Sequence, residues 1–131
     1  MINGAPMGHQ GLHEIEVRYF MSQIISALEY LYQDSVRIVH RDLSLNNIFL
    51  GHNFDDMMQI KLGDFGMSIR LPENQRERRS NSFLGTTRFM PPELFESLED
   101  GTHFRYSQKN DIWSLGVIFY QLLTGSSPFA C

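Results

Sequence analysis

The sequence predicts a mainly α fold in which helices are joined by short β hairpins. Three observations lead there. Val17, Phe20, Met21, Ile24, Leu28 and Leu31 recur at three- and four-residue spacing behind Glu14, with Glu16, Arg18, Gln23 and Glu29 on the other side, the pattern of one long amphipathic helix. Apolar pieces at 38–39, 48–50 and 60–62 are too short for helices and suit small strands separated by polar turns. The stretch "DIWSLGVIFYQLLTG", Asp111 to Gly125, is apolar nearly all round, as in a helix with neighbours on every side.

Taken in order, residues 1–12 carry Gly4, Pro6, Gly8 and Gly11 and are expected to form a loop or the end of a preceding helix. The long helix and the strand pieces follow. Residues 72–82, "PENQRERRSNS", are polar and without periodicity, and are expected to form an exposed loop. The apolar helix comes last, with only six residues after it.

Composition excludes several classes. At 131 residues and 42% hydrophobic, the chain has the length and core content of one globular domain. A net charge of −4, spread along the chain, implies neither nucleic acid nor an anionic membrane as partner. One cysteine, Cys131, allows no internal disulfide and no zinc site built on cysteine pairs. Histidines 9, 13, 52 and 103 lack paired metal-ligand spacing and read as surface residues. No apolar run is long enough to span a bilayer.

Four stretches carry chemistry. "HRDLSLNN" sets Asp42 five residues before Asn47; "LGDFGMS" sets Asp64 before Phe65 and Gly66; "GTTRFMPPELF" holds Gly85, Thr86, Pro92 and Glu93; "NDIWSLG" opens the last helix. Singly, each acid or amide is an ordinary turn or cap residue. Together, in this order, they resemble the eukaryotic protein kinase family of serine/threonine type, whose catalytic loop, metal loop, activation-segment end and central helix carry such motifs.

That resemblance implies a protein kinase-like large (C-terminal) lobe, truncated at both ends, with residues 13–131 a partial kinase domain and with ATP and Mg²⁺ as cofactors. By the same resemblance Asp42 is the base that accepts the substrate hydroxyl proton. Asn47 and Asp64 are the oxygen ligands of the metal and so hold the nucleotide. Arg41, Ser44 and Thr86 join the catalytic group, Thr86 as a hydrogen-bond partner near Asp42. His40 and Phe65 stack in an apolar column, Gly66 completes the metal loop, and Asp111 anchors the catalytic-loop backbone. Glu93 pairs with an arginine beyond residue 131. Arg88, Phe89 and Met90 line the pocket for the residue after the phosphoacceptor. Ser82, with Ser80 as its neighbour, is the expected activating phosphorylation site, facing Arg41.

Some positions depart from the pattern. Ser44 stands where these kinases carry a lysine, and Pro91 replaces an alanine. The hydroxyl at 44 followed by Leu45 resembles the polo-like kinases of centriole assembly, which implies an intracellular location, cytoplasmic or nuclear, with the centrosome or centriole as the branch-specific expectation. No G-x-G-x-x-G and no strand lysine precede residue 14, so the chain alone is expected to be inactive. The function so implied is transfer of the ATP γ-phosphoryl group to a protein Ser or Thr hydroxyl in the complete domain. The partners are a protein substrate and ATP, without nucleic acid or membrane. The alternative is a catalytically inactive kinase-like fragment that binds or regulates. A small-molecule phosphotransferase shares H-x-D-x-x-x-x-N, but the segments around Thr86 and Trp113 build a peptide platform instead.

Overall fold

The computed structural model describes residues 10–99, 101 and 103–129, so His9, Cys131 and most of the 1–12 loop lie outside the described residues. Helix α1 spans Glu14–Tyr32, and its buried stripe is Val17, Ile24, Leu28 and Leu31. Glu16 accepts a hydrogen bond from the His13 backbone N–H at 2.9 Å, and with Glu14 it places negative charge at the helix's positive end.

Strands β1 (Ile38–Val39), β2 (Ile48–His52), β3 (Met58–Leu62) and β4 (Ile69–Arg70) follow. They form antiparallel pairs, β1 with β4 and β2 with β3. The β2–β3 turn closes on Asn53, whose side-chain oxygen accepts from the amides of Asp55 (3.0 Å) and Met57 (2.9 Å). Along the outer edge of β3, Gln23 of α1 accepts from the Ile60 amide at 2.9 Å and Tyr19 donates to the Met58 carbonyl at 2.7 Å. Gln23 therefore caps a strand edge and does not lie on the solvent face that its helical position suggested.

The expected loop over 72–82 is corrected in part. Glu77–Ser80 forms strand β5, paired antiparallel with β6 (Phe104–Ser107) in the register Glu77↔Ser107 to Ser80↔Phe104. Helix α2, Pro92–Glu99, lies between them in sequence. Helix α3, Gln108–Thr124, begins at Ser107, whose Oγ accepts from Lys109 N–H while its own N–H donates to Asn110 Oδ1 at 2.6 Å. It ends at Gly125, in the left-handed region at φ 72°, where the amide closes on Gln121 O.

The main core joins Ile24, Leu28 and Leu31 of α1 to Leu115, Val117 and Ile118 of α3, with Leu43 and Phe89 between them. A second cluster unites Met90 and Leu94 with Phe104 and Tyr106. The expectation that α3 is covered on all sides holds for one side only: Ile112, Trp113, Phe119, Tyr120 and Leu123 are exposed among the described residues. The two helices thus grip the segment around residue 43 like a jaw, and what that segment carries is held fixed.

Candidate active site

The catalytic-loop stretch leaves β1 and turns at Arg41, which adopts the left-handed conformation at φ 67°. A non-glycine residue in that conformation stores strain that the surroundings must offset. Two interactions do so. The buried carboxylate of Asp111, on the first turn of α3, accepts from His40 N–H at 2.8 Å through Oδ2 and from Arg41 N–H at 3.0 Å through Oδ1. Tyr32 adds its hydroxyl to Oδ2 at 3.3 Å. Burial raises the Asp111 carboxyl above its ordinary value, and the two backbone donors act against it.

Asp42 follows, half-buried. Its Oδ1 accepts from both the amide (2.8 Å) and the hydroxyl (2.7 Å) of Thr86. Asn47 Nδ2 donates to Asp42 Oδ2 at 3.0 Å and to the Asp42 carbonyl at 2.8 Å. The Asn47 amide nitrogen is thereby committed to Asp42, which leaves its oxygen as the atom that can face a cation. Asp64 joins through its neighbour: the Gly63 amide donates to Asn47 O at 2.9 Å, and His40 Nε2 reaches Gly63 O at 3.0 Å. Because the Asp42 amide must donate to His40 Nδ1 (3.3 Å), Nδ1 accepts and Nε2 carries the proton toward Gly63. Asp64 is exposed and also left-handed (φ 57°), its Oδ1 accepting from Gly66 N at 3.3 Å.

The activation-segment side closes through Gly85. A Cβ there would lie 2.5 Å from the Arg41 carbonyl, and φ is +119°, so only glycine brings Thr86 this close to Asp42. The Arg41 guanidinium lies 4.8 Å from the centroid of the Tyr106 ring and donates from Nε to Met67 O. Burial pulls that guanidinium below its ordinary value, with Tyr106 acting the other way.

Oxygen from one carboxylate and one amide suits hard Mg²⁺, which keeps several water or phosphate ligands and needs no full protein cage. Among the described residues, no group of three or more His, Cys, Asp or Glu side chains is placed to hold a metal ion.

Several expected positions sit differently. Ser44, grouped with the catalytic residues, is 1% exposed and its Oγ has no hydrogen-bond partner, so it is shut away from any phosphate at the surface. Phe65 meets His40 at 4.9 Å but at 56°, a tilted contact in place of a stack. Glu93 is exposed in the first turn of α2, so its charge stays hydrated. Arg88 and Met90 line a cavity of about 280 Å³ with Phe95 and Trp113, whereas Phe89 is core. A larger cavity, about 430 Å³ between Arg79, Ser97, Gly101, His103 and Arg105, shares no residue with the Asp42 cluster. Ser82 is exposed, and its carbonyl accepts from the Tyr106 hydroxyl at 3.1 Å, one ring away from Arg41. Tyr32 and Tyr106 were not singled out by sequence.

Residues 4–131 match the family model described as protein kinase domain. The chain is 37% identical over 118 residues to the probable serine/threonine-protein kinase PLK of Dictyostelium discoideum, covering 90% of this chain and 10% of that protein. It is 43% identical over 118 residues to the cell cycle serine/threonine-protein kinase CDC5/MSD2 of Saccharomyces cerevisiae, covering 90% and 15%. It is also 43% identical over 119 residues to the inactive serine/threonine-protein kinase PLK5 of Mus musculus, covering 91% and 18%. The chain therefore spans less than a fifth of the length of these relatives.

Proposed function

This chain belongs to the protein kinase family, and from that premise we propose that it forms the catalytic-loop, metal-loop and activation-segment part of an active serine/threonine protein kinase. The observation that carries the reading is the Asp42 carboxylate, fixed on one oxygen by Thr86 and on the other by Asn47. Phosphoryl transfer asks a protein for positioning and charge neutralisation above all. Bound Mg²⁺ and ATP supply the phosphoryl group and neutralise its charge. Asp42 orients the Ser or Thr hydroxyl of a protein substrate and takes its proton as the new O–P bond forms and the bond from the γ-phosphorus to the β–γ bridging oxygen breaks, with ADP leaving. Asp64 and the Asn47 amide oxygen are the residues that would hold the metal, and Thr86 keeps the base from swinging away.

Full-length protein incubated with Mg²⁺, labelled ATP and a generic acceptor such as casein is expected to transfer label, and Asp64→Asn to lose transfer by at least about a hundredfold, the scale of removing a central charge-stabilising group. Transfer undiminished in that variant would overturn the metal assignment. The buried Ser44 and the likeness to an inactive relative favour a second reading, a kinase-like module that binds without catalysis. Folded wild-type protein that binds nucleotide and transfers nothing would select it.

Ser82 is the proposed activating phosphorylation site. Its carbonyl shares Tyr106 with the Arg41 guanidinium, so a phosphate there is well placed to pair with that cation. Phosphopeptide mapping of the active full-length enzyme is expected to find Ser82 modified, and an unmodified Ser82 would remove the proposal.

A further inference from the structure

Tyr106 stands at a junction that the proposed catalytic roles leave unexplained. It is 1% exposed, on β6, yet its ring and its hydroxyl serve two different segments of the chain, neither of them a strand. The ring lies under the guanidinium of Arg41, the residue before Asp42, with 4.8 Å from the guanidinium carbon to the ring centroid. The hydroxyl accepts from the Leu84 amide at 3.1 Å and donates to the Ser82 carbonyl at 3.1 Å. Leu84 is two residues before Thr86, whose amide and hydroxyl grip Asp42 Oδ1. Between them Gly85 crosses in contact with the Arg41 carbonyl.

We infer that Tyr106 is a positioning residue for the phosphoryl transfer: by holding Arg41 with its ring and residues 82–84 with its hydroxyl, it sets the approach of Thr86 to the base Asp42. The inference rests on the kinase reading given above. Plain core packing is the competing account, since Tyr106 also clusters with Met90, Leu94 and Phe104. The two accounts separate because the ring alone packs, while the hydroxyl alone reaches Ser82 and Leu84. Arg41 is free to keep its place over a phenylalanine ring, but the 82–84 segment then keeps only the packing of Phe83 on Phe95 and Phe104 and the Ser82 amide's bond to Ser80 Oγ, and loses the bonds that fix its backbone over Tyr106.

The test uses the full-length protein. Tyr106→Phe is expected to lower kcat about tenfold at saturating Mg²⁺ and ATP, the scale of one or two neutral hydrogen bonds, with KM for ATP unchanged. Amide exchange at Leu84 and Thr86 is expected to quicken by a similar factor. Leu94→Val, which trims the same apolar cluster and leaves the Tyr106 hydrogen bonds in place, is expected to leave kcat within about twofold below its melting temperature. Equal loss of kcat in both variants would overturn the inference, as would wild-type kcat and exchange in Tyr106→Phe. Should wild-type protein transfer no phosphoryl group, the functional reading fails and the exchange rates alone decide the clasp. Should Tyr106→Phe not fold, wild-type exchange still decides: a Leu84 amide exchanging as fast as that of exposed Asn81 shows that no hydroxyl holds it.

Discussion

Replacing Asp42 by asparagine in the full-length protein is expected to lower phosphoryl transfer by about a hundredfold to ten-thousandfold, the range for loss of a general base, with nucleotide affinity changed by less than about twofold. The geometry explains why the amide cannot substitute. Oδ1 receives two hydrogen bonds from Thr86 and Oδ2 receives one from Asn47. An amide nitrogen placed at either position would face a donor, and the side chain would also have lost the charge that draws a hydroxyl proton. Nucleotide binding is spared because the proposed metal ligands are Asn47 and Asp64. Steady-state kinetics and calorimetric titration with Mg²⁺ and ATP check the two halves separately. Transfer retained within tenfold would show that the base lies elsewhere.

Removing the Asp111 carboxylate is expected to be the most damaging structural change. Asp111→Ala strands the amides of His40 and Arg41, both pointed at an acceptor that no longer exists, while the Tyr32 hydroxyl keeps the Gln108 carbonyl at 3.3 Å. At about 1–3 kcal/mol for each of these two buried donors left unsatisfied, a loss of about 2–6 kcal/mol follows, less the relief of no longer burying a charge. That relief has a pH signature. Burial holds the Asp111 carboxyl above its ordinary value, so its contribution to stability is fully present below that ordinary value and is lost as pH rises through the raised one. Asp111→Asn has no such titration. Wild type is therefore expected to lose stability relative to Asp111→Asn as pH increases across that window, measured as the shift between their urea midpoints. A gap independent of pH would contradict the buried, shifted carboxyl.

Much of this was legible in the chain because the informative residues are near one another in sequence. His40 to Asn47 spans eight residues, and the turn they make is closed by bonds within the span, from Asn47 to Asp42 and from Asp42 to His40. The helical stripe of α1 was equally plain, since Ile24, Leu28 and Leu31 meet the core at helical spacing. Strand β5 was not. Its sequence, Glu-Arg-Arg-Ser, has no apolar alternation because it packs nothing; backbone bonds to β6 make it a strand. Gln23 misled for a related reason, as a polar residue whose partner is a strand edge and not water. Ser44 was placed by resemblance alone, and resemblance carries no information about burial. Tyr106 escaped notice because its importance lies in what its two ends touch, residues 22 to 65 positions away.

Ser107 ends β6, opposite Glu77, and is at the same time the cap of α3, whose first turn carries Asp111. No loop separates the two elements, and so there is no slack. The arginine-rich ribbon is thus continuous in chain with the head of the long helix, whose Asp111 holds the backbone just before the proposed proton acceptor: strand pairing on one side and the grip on residues 40 and 41 on the other share a single joint.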